Sequence, residues 1–83
     1  MEEIIVKNVK VSLNSIDKVK AFVNVTSQFK CDFDLVSGRY VIDAKSIMGI
    51  ISLDLSKPIE LSIHADDSEI APIIDSLQEF IIE

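Results

Sequence analysis

One serine in this chain stands where its hydroxyl has chemistry to do. The stretch Lys45-Ser46-Ile47-Met48-Gly49-Ile50-Ile51-Ser52-Leu53 opens with a basic residue and a serine, then continues as an apolar run broken by one glycine. Ser46 is placed to cap a short helix, its hydroxyl accepting a hydrogen bond from an exposed amide of the first turn. Ile47, Ile50 and Ile51 recur at helical spacing, which predicts a buried face with Met48 outside. Other groups capable of chemistry stand alone. His64 is the single histidine; it falls on the outward side of a strand with no ligand spacing around it, and reads as a solvated sheet-face residue. Cys31, at a strand start beside Asp32, reads as a small buried hydrophobe rather than a nucleophile. Asp66, Asp67 and Glu69 lack the alternating ligands and the glycine of a calcium loop, and suit the start of a helix instead. No metal site and no cofactor are expected.

The composition bounds what surrounds these groups. Eighty-three residues, 48% of them apolar and only two of them glycine, predict one small folded domain over residues 1–83. A single cysteine allows no internal disulfide and fits a reducing compartment. The formal net charge of −6, from 8 Lys and Arg against 14 Asp and Glu, disfavours nucleic acid as a partner. Lys18 with Lys20 is the one candidate for a local basic patch. No apolar run approaches the roughly 18 residues of a membrane span, so the reading is a soluble, cytoplasmic protein.

The elements that must position the chemistry follow from periodicity. Val9-Lys10-Val11-Ser12-Leu13 alternates as a strand with one buried face, while Ile4-Ile5-Val6 breaks the alternation and leaves the register of the first strand open. Asn14 and Ser15 signal a helix start, Asp17 suits its first turn, and Ile16, Val19, Phe22, Val23 and Thr26 predict an amphipathic helix over roughly 16–28. Cys31 to Leu35 alternates with Phe33 and Leu35 inward. Ser37-Gly38 turns the chain into a second strand, Arg39 to Ala44, with Ile42 and Ala44 inward and Tyr40 near the edge. Leu53 to Pro58 reads as a loop. Ile59-Glu60-Leu61-Ser62-Ile63-His64-Ala65 has the cleanest alternation in the chain. In the last segment, Ile70, Ile73, Ile74, Leu77, Phe80 and Ile81 keep a steady three-four spacing. Pro72 there is tolerable only in a first turn, which predicts a helix start near Ser68 or Glu69. The order βαββαβα, with one apolar face per strand, predicts an α+β two-layer sandwich, a four-stranded sheet covered on one face by three helices.

Element order, length and the segment Ala44-Lys45-Ser46-Ile47-Met48-Gly49-Ile50-Ile51-Ser52-Leu53 resemble HPr, the histidine-containing phosphocarrier family of the bacterial sugar phosphotransferase system. The resemblance spans essentially the whole chain. The Lys-Ser-Ile-Met-Gly run is similar to the regulatory-serine region of HPr from Gram-positive bacteria. It implies an open-faced sandwich with an antiparallel sheet, which periodicity alone does not provide. It also implies that Ser46 is phosphorylated by a dedicated ATP-dependent HPr serine kinase, with Ile47, Met48 and Ile51 as a partner-contact patch, equally readable as partly buried core.

The departure from the family is at the first helix. The family's phosphocarrier motif has a histidine there, followed by an arginine and a proline, and the corresponding positions are Ser15, Asp17 and Lys18. A phosphocarrier needs a nitrogen nucleophile that forms a labile phosphoramidate, with a helix N-terminus and an arginine to hold the phosphate. Serine gives a stable ester, and an aspartate repels the phosphate. The expectation is therefore a protein that is not an enzyme and has a degenerate phosphocarrier site at Ser15, Asp17 and Lys18. It would act as a regulatory interaction module in carbon catabolite control, switched at Ser46, with protein partners such as the kinase or a transcriptional regulator. An HPr-like subclass in bacilli also lacks the histidine and keeps the serine, but Asp17 and Lys18 differ where the family contacts its transcriptional partner. Two alternatives stand beside this reading: a phosphocarrier using an atypical site, and a diverged scaffold that has lost both sites.

Overall fold

The computed structural model describes residues 4–82, which run as β1 (Ile4–Val11), α1 (Ile16–Thr26), β2 (Asp32–Ser37), β3 (Tyr40–Asp43), α2 (Ile47–Ile51), β4 (Ile59–Asp66) and α3 (Asp67–Ser76). The strands form one antiparallel sheet in the order β1-β4-β2-β3. β4 has a partner on each side, and its inward residues Ile59, Leu61, Ile63 and Ala65 are all buried, as the two-residue alternation requires. Val11, Phe33 and Leu35 join them from the neighbouring strands. The helices close the same face with Val19 and Phe22 from α1, Ile50 from α2 and Ile73 from α3. Phe80 meets Phe22 edge to face, ring centroids 5.4 Å apart. The other face of the sheet carries no helix. The order βαββαβα and the open antiparallel sheet are those expected.

The register of β1 is set by its pairing. Ile5 lies opposite Ala65, Val9 opposite Leu61 and Val11 opposite Ile59, so the odd-numbered residues turn inward. Ile4 and Val6 therefore point to the open face, where they are 63% and 55% exposed. Lys7 shares the inward parity opposite Ile63 yet is exposed on the edge strand, a charge that discourages pairing by another chain. The strand stops at Val11, although Leu13 beyond it is still buried.

Three helical expectations are corrected. α1 ends at Thr26, two residues short of the predicted end, because the next amides fold back by three residues: Gln28 N–H to the Val25 carbonyl and Phe29 N–H to that of Thr26. α3 begins at Asp67, which places Pro72 in its second turn rather than its first. The proline lacks the N–H that would bond the Ser68 carbonyl, and both residues are exposed, so solvent can serve that carbonyl. α3 also ends at Ser76 instead of continuing to Ile81. The chain past Leu77 turns and joins the free edge of β1. Ser12 N–H donates to the Phe80 carbonyl (2.8 Å), Ile82 N–H donates to the Lys10 carbonyl (3.0 Å), and Ile81 bridges Val11. Edge hydrogen bonds there substitute for those of another helical turn.

The second helix is turned differently from its isoleucine pattern. Only Ile50 is buried; Ile47 and Ile51 are 38% and 40% exposed, beside Met48 at 78%. The inward stripe is Ser46, Gly49, Ile50 and Leu53, which has the same three-four spacing. Gly49 makes this rotation possible, since a Cβ there would stand 2.6 Å from Ile42 Cγ2. That methyl sits on a β-branched side chain with little freedom to move. Gly49→Ala gains up to about 1 kcal/mol in helix propensity but overpacks the contact at a cost of about 1–3 kcal/mol. Urea unfolding of Gly49→Ala should show a net loss of about 1 kcal/mol. In an Ile42→Ala background the same substitution should become neutral or stabilising, a non-additivity that isolates the contact.

Candidate functional site

Ser46 occupies the N-cap of α2 in extended backbone (φ −104°, ψ 106°). Its Oγ accepts from Gly49 N–H at 3.2 Å, and its carbonyl accepts from Ile50 N–H at 3.0 Å. The approach to the cap is pinned from several sides. Ser46 N–H donates to the Asp43 carbonyl (3.0 Å), and Lys45 N–H donates to Asp43 Oδ1 (2.9 Å). Lys45 Nζ donates to the Phe29 carbonyl at 2.8 Å and stands 5.6 Å from the centre of the Phe33 ring. The lysine next to Ser46 is thus committed to fastening the α1–β2 connection. The buried Thr26 hydroxyl adds a link to the Ala44 carbonyl at 3.4 Å. A half-buried hydroxyl on a fixed backbone, flanked by exposed Ile47, Met48 and Ile51, results from these contacts.

Ser15 is also an N-cap, that of α1, in extended backbone (φ −150°, ψ 156°), and its Oγ accepts from Lys18 N–H at 3.2 Å. Asp17 lies exposed in the first turn, next to Ile16, which is 48% exposed. The two serines hold equivalent places on two helices that pack together. They differ in surroundings: Ser15 is exposed next to an acidic residue, whereas Ser46 is half-buried beside an apolar patch.

His64 lies on the uncovered face of β4. Its Nε2 is 3.2 Å from Asp34 Oδ2, across the β2–β4 pairing, and Asp32 and Asp43 line the same shallow recess. A phosphate on this ring would meet three carboxylates and no helix N-terminus, the reverse of what holds a phosphoryl group. Among the described residues no group of His, Cys, Asp and Glu is arranged to hold a metal ion. The His64–Asp34 pair has a sequence signal only in hindsight: alternation places both side chains outward, but strand adjacency is not readable from it. The three acids at the start of α3 do not cap it by side-chain bonding. Asp66 is the N-cap residue yet accepts no amide of the helix, and its Oδ2 takes the Ser68 hydroxyl instead (3.3 Å).

Cys31 is half-buried just before β2, packed against the core. Burial foremost, and then the negative charge of Glu69, raises its thiol above the ordinary value of 9.0. A raised thiol pKa means that the folded state disfavours the thiolate. Stability from this group is complete below the unfolded thiol pKa and is lost as pH rises through the higher folded value. The protein should alkylate slowly with iodoacetamide at neutral pH until urea is added, and Cys31→Ser should flatten the decline of stability above about pH 9 relative to the parent.

A family model described as "PTS HPr component phosphorylation site" matches residues 17–83, a stretch that includes Asp17, Lys18 and Ser46 and leaves Ser15 outside. Among solved structures, HPr-C-His from Thermoanaerobacter tengcongensis is 28% identical, with a TM-score of 0.69 over 88% of this chain and 91% of that one. The phosphocarrier protein HPr from Bacillus anthracis str. Ames shares the fold at 24% identity, with a TM-score of 0.68 over 95% of this chain and 98% of that one. With four antiparallel strands, three helices on one face and a family match over most of its length, the chain belongs to the HPr family of the phosphotransferase system.

Proposed function

We propose that this HPr-family protein is a non-catalytic regulatory module of the phosphotransferase system, switched by phosphorylation of Ser46 and acting in the cytoplasm. The observation that carries the reading is the pairing, on one short helix, of a half-buried serine hydroxyl with exposed Ile47, Met48 and Ile51. The family's phosphate-handling residues at the first helix are replaced by Ser15, Asp17 and Lys18, and the only histidine faces carboxylates on the opposite side of the sheet. No helix among the described residues is long and apolar enough to cross a membrane, and the partners are taken to be proteins.

In the proposed step a kinase of the family's serine-specific type transfers the γ-phosphoryl group of ATP to Ser46 Oγ. The new bond is Oγ–P, the bond broken joins the γ-phosphorus to the bridging oxygen, ADP leaves, and the hydroxyl proton passes to the kinase. The modified side chain exchanges a single Gly49 amide contact for three acceptor oxygens next to unpaired first-turn amides. The dianion also changes the rim of the apolar patch, so that a partner reading Met48 and its neighbours distinguishes the two forms.

Intact-mass measurement after incubation with such a kinase and ATP tests the reading. One added phosphate mapping to Ser46, retained in Ser15→Ala and lost in Ser46→Ala, is the expected outcome. Ser46→Ala should cost only about 1 kcal/mol from the lost cap and remain folded. Phosphate at another residue, or none with a folded protein and an active kinase control, overturns the reading and leaves a diverged scaffold.

A further inference from the structure

We propose that the helix-free face of the sheet is a second docking surface, one that takes a lysine- or arginine-bearing segment of a partner protein with apolar residues between its cations. The surface lies on the opposite layer from Ser46 and shares one residue with it, Asp43, whose Oδ1 takes the Lys45 amide beside that serine. Outward side chains fall in rows across the four strands. Val6, His64 and Asp32 make one row; Asn8, Ser62, Asp34 and Asp43 make the next; Lys10, Glu60, Val36 and Val41 make a third.

Two independent features of these rows point to a partner. Asp34 and Asp43 are directly opposite on adjacent strands, an arrangement of like charges that weakens a sheet and that a cationic neighbour would relieve. Asp32 lines the same recess, and His64 Nε2 reaches only Asp34 among these carboxylates, at 3.2 Å. On either side of the acidic centre the face exposes large apolar residues: Val41 at 63% toward the β3 edge, with Val6 and Ile4 at 55% and 63% toward the β1 edge. Exposed β-branched residues around a charged centre describe a surface built for contact.

The charge decides the occupant. A second copy docked face to face would set Asp32, Asp34 and Asp43 against their own images on a chain of net charge −6, and an anionic lipid surface or nucleic acid meets the same repulsion. A basic segment with intervening apolar residues satisfies both the carboxylates and the flanking valines.

The probe is a short synthetic peptide alternating arginine with leucine, titrated into the isotopically labelled protein, with a glutamate-for-arginine peptide as control. Amide resonances of β2, β3 and β4 should shift with the basic peptide and not with the acidic one, and the binding should weaken as salt is raised. The triple variant Asp32→Asn, Asp34→Asn, Asp43→Asn should bind about tenfold more weakly. Asp43→Asn alone keeps an acceptor for the Lys45 amide and should raise the urea midpoint of the free protein by removing the repulsion across β2 and β3. Shifts confined to α1 and α2, equal binding by the triple variant, or self-association that buries this face at sedimentation equilibrium would each overturn the proposal.

Discussion

Everything else in this protein leans on the double pairing of β4. It pairs with β1 along its whole length and with β2 from Glu60 to His64, and its four inward residues are the floor on which the helices rest. Burying isoleucine and leucine side chains at about 1.5–3 kcal/mol each is the main source of stability in a chain with no disulfide. The arrangement also separates the molecule into two chemically different layers. One is an apolar interior closed by helices, from which Ser46 and its isoleucine neighbours emerge at the rim. The other is a bare face whose central carboxylates, Asp32, Asp34 and Asp43, are flanked by exposed apolar residues.

That separation bears on the proposed reading, in which the two serine-capped helix starts have fared differently. The phosphocarrier position depends on chemistry: a nitrogen nucleophile and a cation held at the α1 terminus. Under the proposed reading, Ser15 and Asp17 at this place remove the chemistry without touching the core, because serine serves as the N-cap of α1. The Ser46 position depends on architecture. Ser46 is held by Asp43, by its own helix and by the tethered Lys45, and Gly49 lets the helix sit close to Ile42. Change there disturbs packing, whatever the serine does.

The strand content was legible wherever alternation was clean. Ile59 to Ala65 specified its inward face without ambiguity, and Phe33 with Leu35 did the same for β2. The Ile4-Ile5-Val6 run was not readable, because three consecutive apolar residues fit either parity and only the partner β4 settles which face each takes. α2 failed for a related reason. Two overlapping stripes, one through Ile47, Ile50 and Ile51 and one through Ser46, Gly49, Ile50 and Leu53, satisfy the same period, and the approach of Gly49 to Ile42 chooses between them. The early end of α3 is a tertiary effect, since the free edge of β1 competes for Ile81 and Ile82. Ser46 was recognisable as a cap from local sequence and Ser15 as one of two candidates with Asn14, whereas the His64–Asp34 pair needed a strand neighbour that no local pattern supplies.

The pairing of β1 with β4 also has a consequence for how the chain is made. Ile4 meets Asp66, so β1 stays without its sheet partner until β4, far later in the sequence, exists. During synthesis α1 and the β2–β3 hairpin, whose contacts are local, can form beforehand, while the apolar N-terminal strand waits. Sealing of that strand by Ile81 and Ile82 draws on residues later still in the sequence. Folding is therefore limited by closing these long-range pairs, and until they close the Ile4–Val11 segment is open to capture by another chain.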